Sequence, residues 1–386
     1  MSDSTNVEQA VNERYSGAAA ARTRELCCPV EYDSSYLEVL PPEILERDYG
    51  CGNPTQYLKP GEVVVDLGCG AGKACYIASQ IVGAEGRVIG VDMNDDMLAL
   101  AESHRRSIGD RLGYHNVTFH KGKIQDLALD LRRLERYLGE HPVRTAAGLE
   151  SVERWSAEQR RDQPMIGESA VDVVLSNCVL NLVRPEKRHD LFREMHRVLR
   201  SGGRTVVSDI VCDEDVPQRL QDDPTLWSGC ISGAFREDLL LEAFEQAGFY
   251  GIEILRRGSE PWQVVEGIEF RSVTIQAFKG KAGPCIERLQ AVIYRGPWRS
   301  VTDDDGHTLH RGRRMAVCDK TFRIYTREPY GADIVPVPPL DELPDDRIEP
   351  FDCSRDAIRH ARETKGRDYA VTRAPTDATC CGPGDD

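Results

Sequence analysis

Three cysteines in this chain of 386 residues stand where a thiol can react rather than fill a core. Cys51 lies in Asp48-Tyr49-Gly50-Cys51-Gly52, and Cys178 in Ser176-Asn177-Cys178-Val179-Leu180-Asn181-Leu182-Val183. Cys230 lies in Leu226-Trp227-Ser228-Gly229-Cys230-Ile231-Ser232-Gly233-Ala234. Each is single, in a glycine-rich stretch or at a strand end, whereas Cys75 falls inside an apolar helical run as a structural cysteine does. Soft centres prefer sulfur, so three such thiolates on one rim suit a soft ion. The 13 cysteines include no Cys-x-x-Cys pair, which argues against a zinc ribbon or a thioredoxin-like site. Zinc held by the three single cysteines and a fourth ligand remains an alternative.

A second constellation runs from Val63 to Lys73. Its three valines predict a buried strand. Gly68, Gly70 and Gly72 follow, where a missing Cβ lets backbone approach a ligand. Lys73 to Val82 reads as a helix whose N-terminal amides point at whatever the glycines hold. Another strand, Arg87 to Val91, ends at Asp92, where nucleotide-binding βαβ units place the carboxylate that grips ribose hydroxyls. The unit therefore reads as nucleoside-binding. Its Gly-x-Gly-x-Gly spacing is tighter than the dinucleotide fingerprint and resembles motif I of class I S-adenosylmethionine methyltransferases.

The elements that must position these residues alternate regularly. Strands are expected at 63–67, 87–91, 117–120, 171–176, 204–210, 251–255 and 270–278, with helices near 73–82, 95–108, 185–199 and 237–247. That order describes an α/β protein, a Rossmann-like, seven-stranded doubly wound sheet whose last pair is a hairpin. Gly202-Gly203 is expected to end the helix before Arg204. Residues 226–234 read as a flexible loop, and Val11 to Ala21 as a helix carrying Arg14 and Tyr15. The charged segment 130–168 reads as a helical insertion in two pieces, divided at His141-Pro142. It either caps the active face or decorates the surface. Past Gly280 a small β-rich domain is expected, with strands at 289–294, 300–302, 308–310, 316–318 and 321–326. The expected domains are 1–210, an N-terminal segment with the cofactor-binding domain; 211–282, the acceptor-binding region completing the sheet; 283–345, the β-rich domain; and 346–386, a tail.

A net charge of −15 opposes binding to phosphate backbones and anionic membranes, so neither nucleic acid nor membrane is an expected partner. No apolar run reaches the ~20 residues that span a bilayer. The polar, acidic start is unlike a targeting peptide, so the cytoplasm is the expected location.

Tyr-Gly-Cys-Gly, Ser-Asn-Cys-Val-x-Asn-Leu-Val and Gly-Cys-Ile-Ser-Gly-Ala together resemble arsenite methyltransferases, over roughly residues 10 to 335. Cys380-Cys381-Gly382 is similar to the cysteine-rich tail of animal members. The resemblance implies that Cys51, Cys178 and Cys230 bind trivalent arsenic. It implies that Cys28 or Cys27 forms a disulfide with Cys51 during turnover, and that thioredoxin or glutathione resets the enzyme. S-adenosylmethionine is then held by Tyr15, Asp66, Gly68, Gly70, Gly72, Asp92, Met93, Ile124, Gln125 and Asn177. Two departures stand out, the long insertion at 130–168 and Cys69 within motif I. Selenium, tellurium or mercury species, or a small thiol, are chemically similar acceptors. A small oxygen or nitrogen nucleophile would need a base such as His141, and a non-catalytic metalloid-binding protein is the reading from another class.

Overall fold

The computed structural model describes residues 4–20, 30–47, 49–354 and 357–373. The chain splits into two compact units, 1–280 and 281–386. In the first, nine strands form one sheet: β1 (Val63–Leu67), β2 (Arg87–Asp92), β3 (Val117–Lys121), β4 (Val171–Asn177), β5 (Leu199–Cys212), β6 (Phe235–Arg236), β7 (Tyr250–Arg257), β8 (Gln263–Val265) and β9 (Ile268–Phe278). The main path is β3-β2-β1-β4-β5-β9-β7, with β6 beside β5 and β8 beside β9. Pairing along it is parallel through β5, while β9 runs antiparallel to both β5 and β7. This is the expected doubly wound sheet with a terminal hairpin, plus two short strands.

Its centre is apolar because it is covered on both faces. Val64, Val65 and Leu67 of β1 and Val173, Val174 and Leu175 of β4 are fully buried, as strands of a parallel sheet between helical layers must be. The strand order reverses between β1 and β4, so the ends of these two strands flank a crevice. The turn after β1 carries the glycines and the turn after β4 carries Cys178.

The helix Lys73–Val82 has the predicted bounds, and Asp95–Leu112 starts where predicted, with the Asn94 side chain accepting from the Met97 amide. One boundary moves. The helix Pro185–Val198 stops before the glycines, and Leu199 already belongs to β5. Gly202, at φ 82°, instead lies in a bulge: β4 pairs with Leu199 and then with Arg204.

The insertion is two helices, Leu131–Glu140 and Ala146–Asp162, separated at His141-Pro142. Tyr137 stacks between His141 (4.3 Å) and Trp155 (4.5 Å), closing the pair on itself. Lys121 pairs with Glu135, and Arg132 with Glu102 at 2.6 Å, tying it to β3 and the helix after β2.

In the second unit, β10 (Ala291–Tyr294) lies between β13 (Arg314–Ala316) and β14 (Ile334–Val337), and β11 (Ser300–Thr302) forms a hairpin with β12 (Thr308–His310). The strand expected at 321–326 is instead the helix Asp319–Tyr325. Cys318 caps it, Sγ accepting from the Thr321 amide at 3.4 Å. The burial of Thr321, Ile324 and Tyr325 follows a helical spacing that β-branched and aromatic residues disguise. No helix among the described residues is long and apolar enough to cross a membrane.

Candidate active site

The turn after β1 shows why glycines stand there. Gly68 has φ 68°, and a Cβ on it would lie 2.5 Å from the Val179 side chain. Gly70, at φ 50°, donates its amide to Asp92 Oδ2 at 2.8 Å and leaves open space where a Cβ would be. Gly72 differs from its neighbours. A Cβ there would meet Phe119 at 3.0 Å, so it seats the helix Lys73–Val82 on β3, and it does not border the cavity.

That cavity, about 1160 Å³ with its open mouth included, is bordered by Tyr15, Asp66, Gly68, Gly70, Asp92, Met93, Ile124, Gln125 and Asn177, so nine of the ten proposed cofactor contacts converge. Burial raises the pKa of Asp92, while amide hydrogen bonds from Asn94 and Gly70 oppose the rise. A carboxylate has about four acceptor positions, so these amides and that of Met93 still leave room for a further hydroxyl.

The cavity's cover is the N-terminal helix, Ser4–Ala20. Glu8, Val11, Asn12 and Tyr15 border the cavity from one helical face. Asn94 Nδ2 donates to Asn12 Oδ1 (2.8 Å) and Ser16 Oγ (3.0 Å), and Lys123 pairs with Glu8 at 3.1 Å. Arg14 donates to the Thr225 carbonyl (2.8 Å) and Ser228 Oγ (3.0 Å). The insertion contributes no residue to the cavity lining, which removes the expectation that it caps the site. Exposed His141 is committed to the Tyr137 stack, so it serves as no base here.

Cys178 borders the same cavity. It is joined to Cys51 in a disulfide, with Cα atoms 5.8 Å apart. Asn177 places the pair: its Oδ1 accepts from the amides of Cys51 (3.0 Å) and Gly52 (3.2 Å), and its Nδ2 donates to the Gly52 carbonyl (2.8 Å). The flanking glycines permit that grip, because a Cβ on Gly50 would sit 2.6 Å from Asn177 Cγ, and one on Gly52 2.5 Å from Ser208 Oγ. The third cysteine joins them, Cys230 Sγ donating to the Cys178 carbonyl at 3.2 Å. All three pack in one buried cluster with Ile210 and Phe270. Tyr15 reaches this cluster by a hydrogen bond with Cys230, and burial raises its hydroxyl pKa strongly. Cys27, Cys28, Cys380 and Cys381 lie outside the described residues. The disulfide that the resemblance implies between Cys51 and Cys28 or Cys27 thus falls outside the described residues, while Cys51 is bonded to Cys178.

The stretch around Cys230 is ordered by packing rather than loose. Pro224–Ser228 is helical, and Trp227, Cys230 and Ile231 are buried. Arg188 holds it by donating to Val183 (3.1 Å) and Gly233 carbonyls and lying over the Phe235 ring at 4.1 Å. Burial brings its pKa down to about 10.

Two residues escaped sequence reasoning. Asp209 groups with Cys51 and Cys178, their ligand atoms within 4.8 Å of one another. Burial lifts its pKa to about 7 against backbone hydrogen bonds, among them one from the Leu180 amide at 2.9 Å. Asn181, wholly buried, donates to Asp209 Oδ1 (2.8 Å) and the Ile210 carbonyl (2.7 Å). A single Asp and a single Asn in apolar strand-end sequence carry no spacing signature. The Leu180-Asn181 motif was the available signal.

A glycine turn on a helix N-terminus and an acid ending β2 define an S-adenosylmethionine-dependent methyltransferase fold, and a cluster of three cysteine sulfurs lies beside its cavity. A family model described as a methyltransferase domain matches residues 58–135 and 152–248, its gap falling inside the insertion, and one described as a domain of unknown function (DUF8838) matches 281–369. The arsenite methyltransferase of Aquipseudomonas alcaligenes is 31% identical over 77% of this chain and 80% of its own length. The human arsenite methyltransferase is 29% identical over 88% of this chain and 85% of its own. The crystal structure of the arsenic (III) S-adenosylmethionine methyltransferase from Chlamydomonas reinhardtii matches with TM-score 0.55 at 26% identity, covering 84% of this chain and all of that one. The chain belongs to the arsenite methyltransferase family.

Proposed function

We propose that this enzyme transfers the methyl group of S-adenosylmethionine to trivalent arsenic held by Cys51, Cys178 and Cys230. The observation that carries the reading is the position of Cys178, which borders the donor cavity while touching both other cysteines. The cavity residues fit the donor: Gly70 offers bare backbone, Asp92 keeps acceptor capacity, and Met93 and Ile124 provide apolar borders. Bound there, S-adenosylmethionine supplies a methyl group already activated on a sulfonium.

What the protein adds is placement. Arsenic bound to three thiolates keeps a lone pair and is itself the nucleophile, which agrees with the lack of a general base in the motif after β4. Asn177 fixes Cys51 beside Cys178, and Tyr15 spans from the cavity to Cys230. Methylation leaves arsenic formally pentavalent, and two thiolates that join as a disulfide return the two electrons. The Cys51–Cys178 bond has the form of that oxidised product. A small thiol or thioredoxin-type reductant must open it before arsenite can bind.

The test is incubation of reduced protein with labelled S-adenosylmethionine and arsenite. Methylated arsenicals are expected from the unaltered chain and none from Cys178→Ser. Full activity in that variant, or label on an organic acceptor instead, overturns the reading.

A further inference from the structure

The second unit holds a sulfur cluster that the transfer chemistry does not use. Cys285, Cys318 and Cys353 come from three separate segments, yet their sulfurs lie within 4.8 Å of one another and none is in a disulfide. Backbone hydrogen bonds draw the segments together. The Phe351 amide donates to the Cys285 carbonyl at 2.9 Å, and the Asp319 amide to the Ile286 carbonyl at 3.0 Å. Ile286 also bridges to Pro350. Cys318 is fixed further by its cap on the helix Asp319–Tyr325, where Thr321 contacts its sulfur through both amide (3.4 Å) and hydroxyl (3.2 Å). Cys318 and Cys353 also border a small cavity with His307 and Phe351.

The donor set indicates the ligand. Three sulfurs are a soft set. Among the described residues no histidine or carboxylate joins them within the same distance, and His307 Nδ1 is engaged by Asp303 Oδ2 at 3.0 Å. A structural zinc ion takes four protein ligands. Trivalent arsenic takes three and keeps its lone pair where a fourth would stand. We propose that Cys285, Cys318 and Cys353 form a second trithiolate site for trivalent arsenic, one that holds the metalloid without methylating it.

Binding is a condensation without electron transfer. Arsenous acid loses its three hydroxyl groups, each leaves as water with a proton from one thiol, and three As–S bonds replace three As–O bonds.

The choice of arsenic as the ion rests on the transfer reading, whereas the existence of the site does not. Full-length Cys51→Ser/Cys178→Ser/Cys230→Ser protein, reduced with a phosphine and given arsenite without S-adenosylmethionine, is dialysed and its arsenic counted by mass spectrometry. One arsenic per chain is expected, and its loss on adding Cys353→Ser. Cys285→Ser serves the same purpose should that variant fail to fold. Arsenic that persists through both, or none bound at the start, overturns the site. One zinc per chain in protein purified without chelator, lost on Cys353→Ser, overturns arsenic as its ligand. In the otherwise unchanged chain Cys353→Ser removes one arsenic and leaves methyl transfer at saturating arsenite intact. A lack of methylated product in the unaltered chain sinks the transfer reading and leaves this count untouched.

Discussion

Asn177, a cofactor contact by the resemblance, does border the cavity, but three of its side-chain hydrogen bonds go to Cys51 and Gly52. Asn177→Ala should therefore impair arsenite binding more than donor binding, with a stability loss of about 1–3 kcal/mol from the unpaired amides. Calorimetric titration of each ligand separates the two, and equal losses would show that the clamp is not its main task. Gly50→Ala should act on the same contact from the other side, since its new Cβ strikes the Asn177 amide. An overpacking cost of about 1–3 kcal/mol in urea unfolding is expected, together with lost transfer. The three cysteines stood out because each lies in a glycine-rich or strand-end stretch rather than inside an apolar run, although all three prove to be buried. Asp209, Asn181 and the Cys51–Cys178 pairing were not legible, because contacts between separate strand ends leave no trace in local spacing.

At the scale of elements, the N-terminal helix borders the cavity and the insertion does not. Tyr15 was legible, but the helix carrying it holds an undistinguished mixture of Ala, Asn and Glu, and only its partners Asn94, Lys123 and Thr225 reveal it as the cover. Arg14→Ala should raise hydrogen exchange across residues 8–20 and weaken donor binding; unchanged exchange would mean that the helix is held without that anchor. Trp155→Ala, in contrast, removes a stack worth about 0.5–1.5 kcal/mol and should lower thermal stability with kcat/KM unaffected. Strands and the long helices were readable from periodicity. The helix Asp319–Tyr325 was not, since a cysteine cap is an unusual start signal and its residues favour strands.

For the molecule as a whole, pH should act on the second unit through Asp303 and His307. Hydrogen bonds from His307 and Tyr325, outweighing burial, bring the Asp303 carboxyl down to about 2, and Asp303 raises the His307 imidazole above its ordinary value of 6.5. The carboxyl's contribution is complete above its ordinary value of 3.8 and is lost as pH falls toward 2. The imidazole's contribution is complete below 6.5 and is lost as pH rises through its raised value. The pair therefore stabilises most between roughly pH 4 and 6.5. The His307 ring signal in NMR should titrate above its ordinary midpoint, and Asp303→Asn should lower that midpoint; no change would remove the coupling. The whole-molecule features legible in the sequence were the alternation of the first unit and the β-rich texture after Gly280. Nothing there announced that three cysteines of the second unit meet, because their segments converge only through backbone bridges.

Cys178 and Cys230 both have backbones in the left-handed region, at φ 59° and 62°. For a residue with a Cβ this conformation costs on the order of 1 kcal/mol, whereas glycine adopts it freely. Folding and function thus pull opposite ways at the same two codons. In a laboratory population propagated without arsenite, drift at these positions should run toward glycine or asparagine, and arsenic exposure should purge those lineages. The two strained thiols would then serve as a record of whether a lineage has lived with the metalloid.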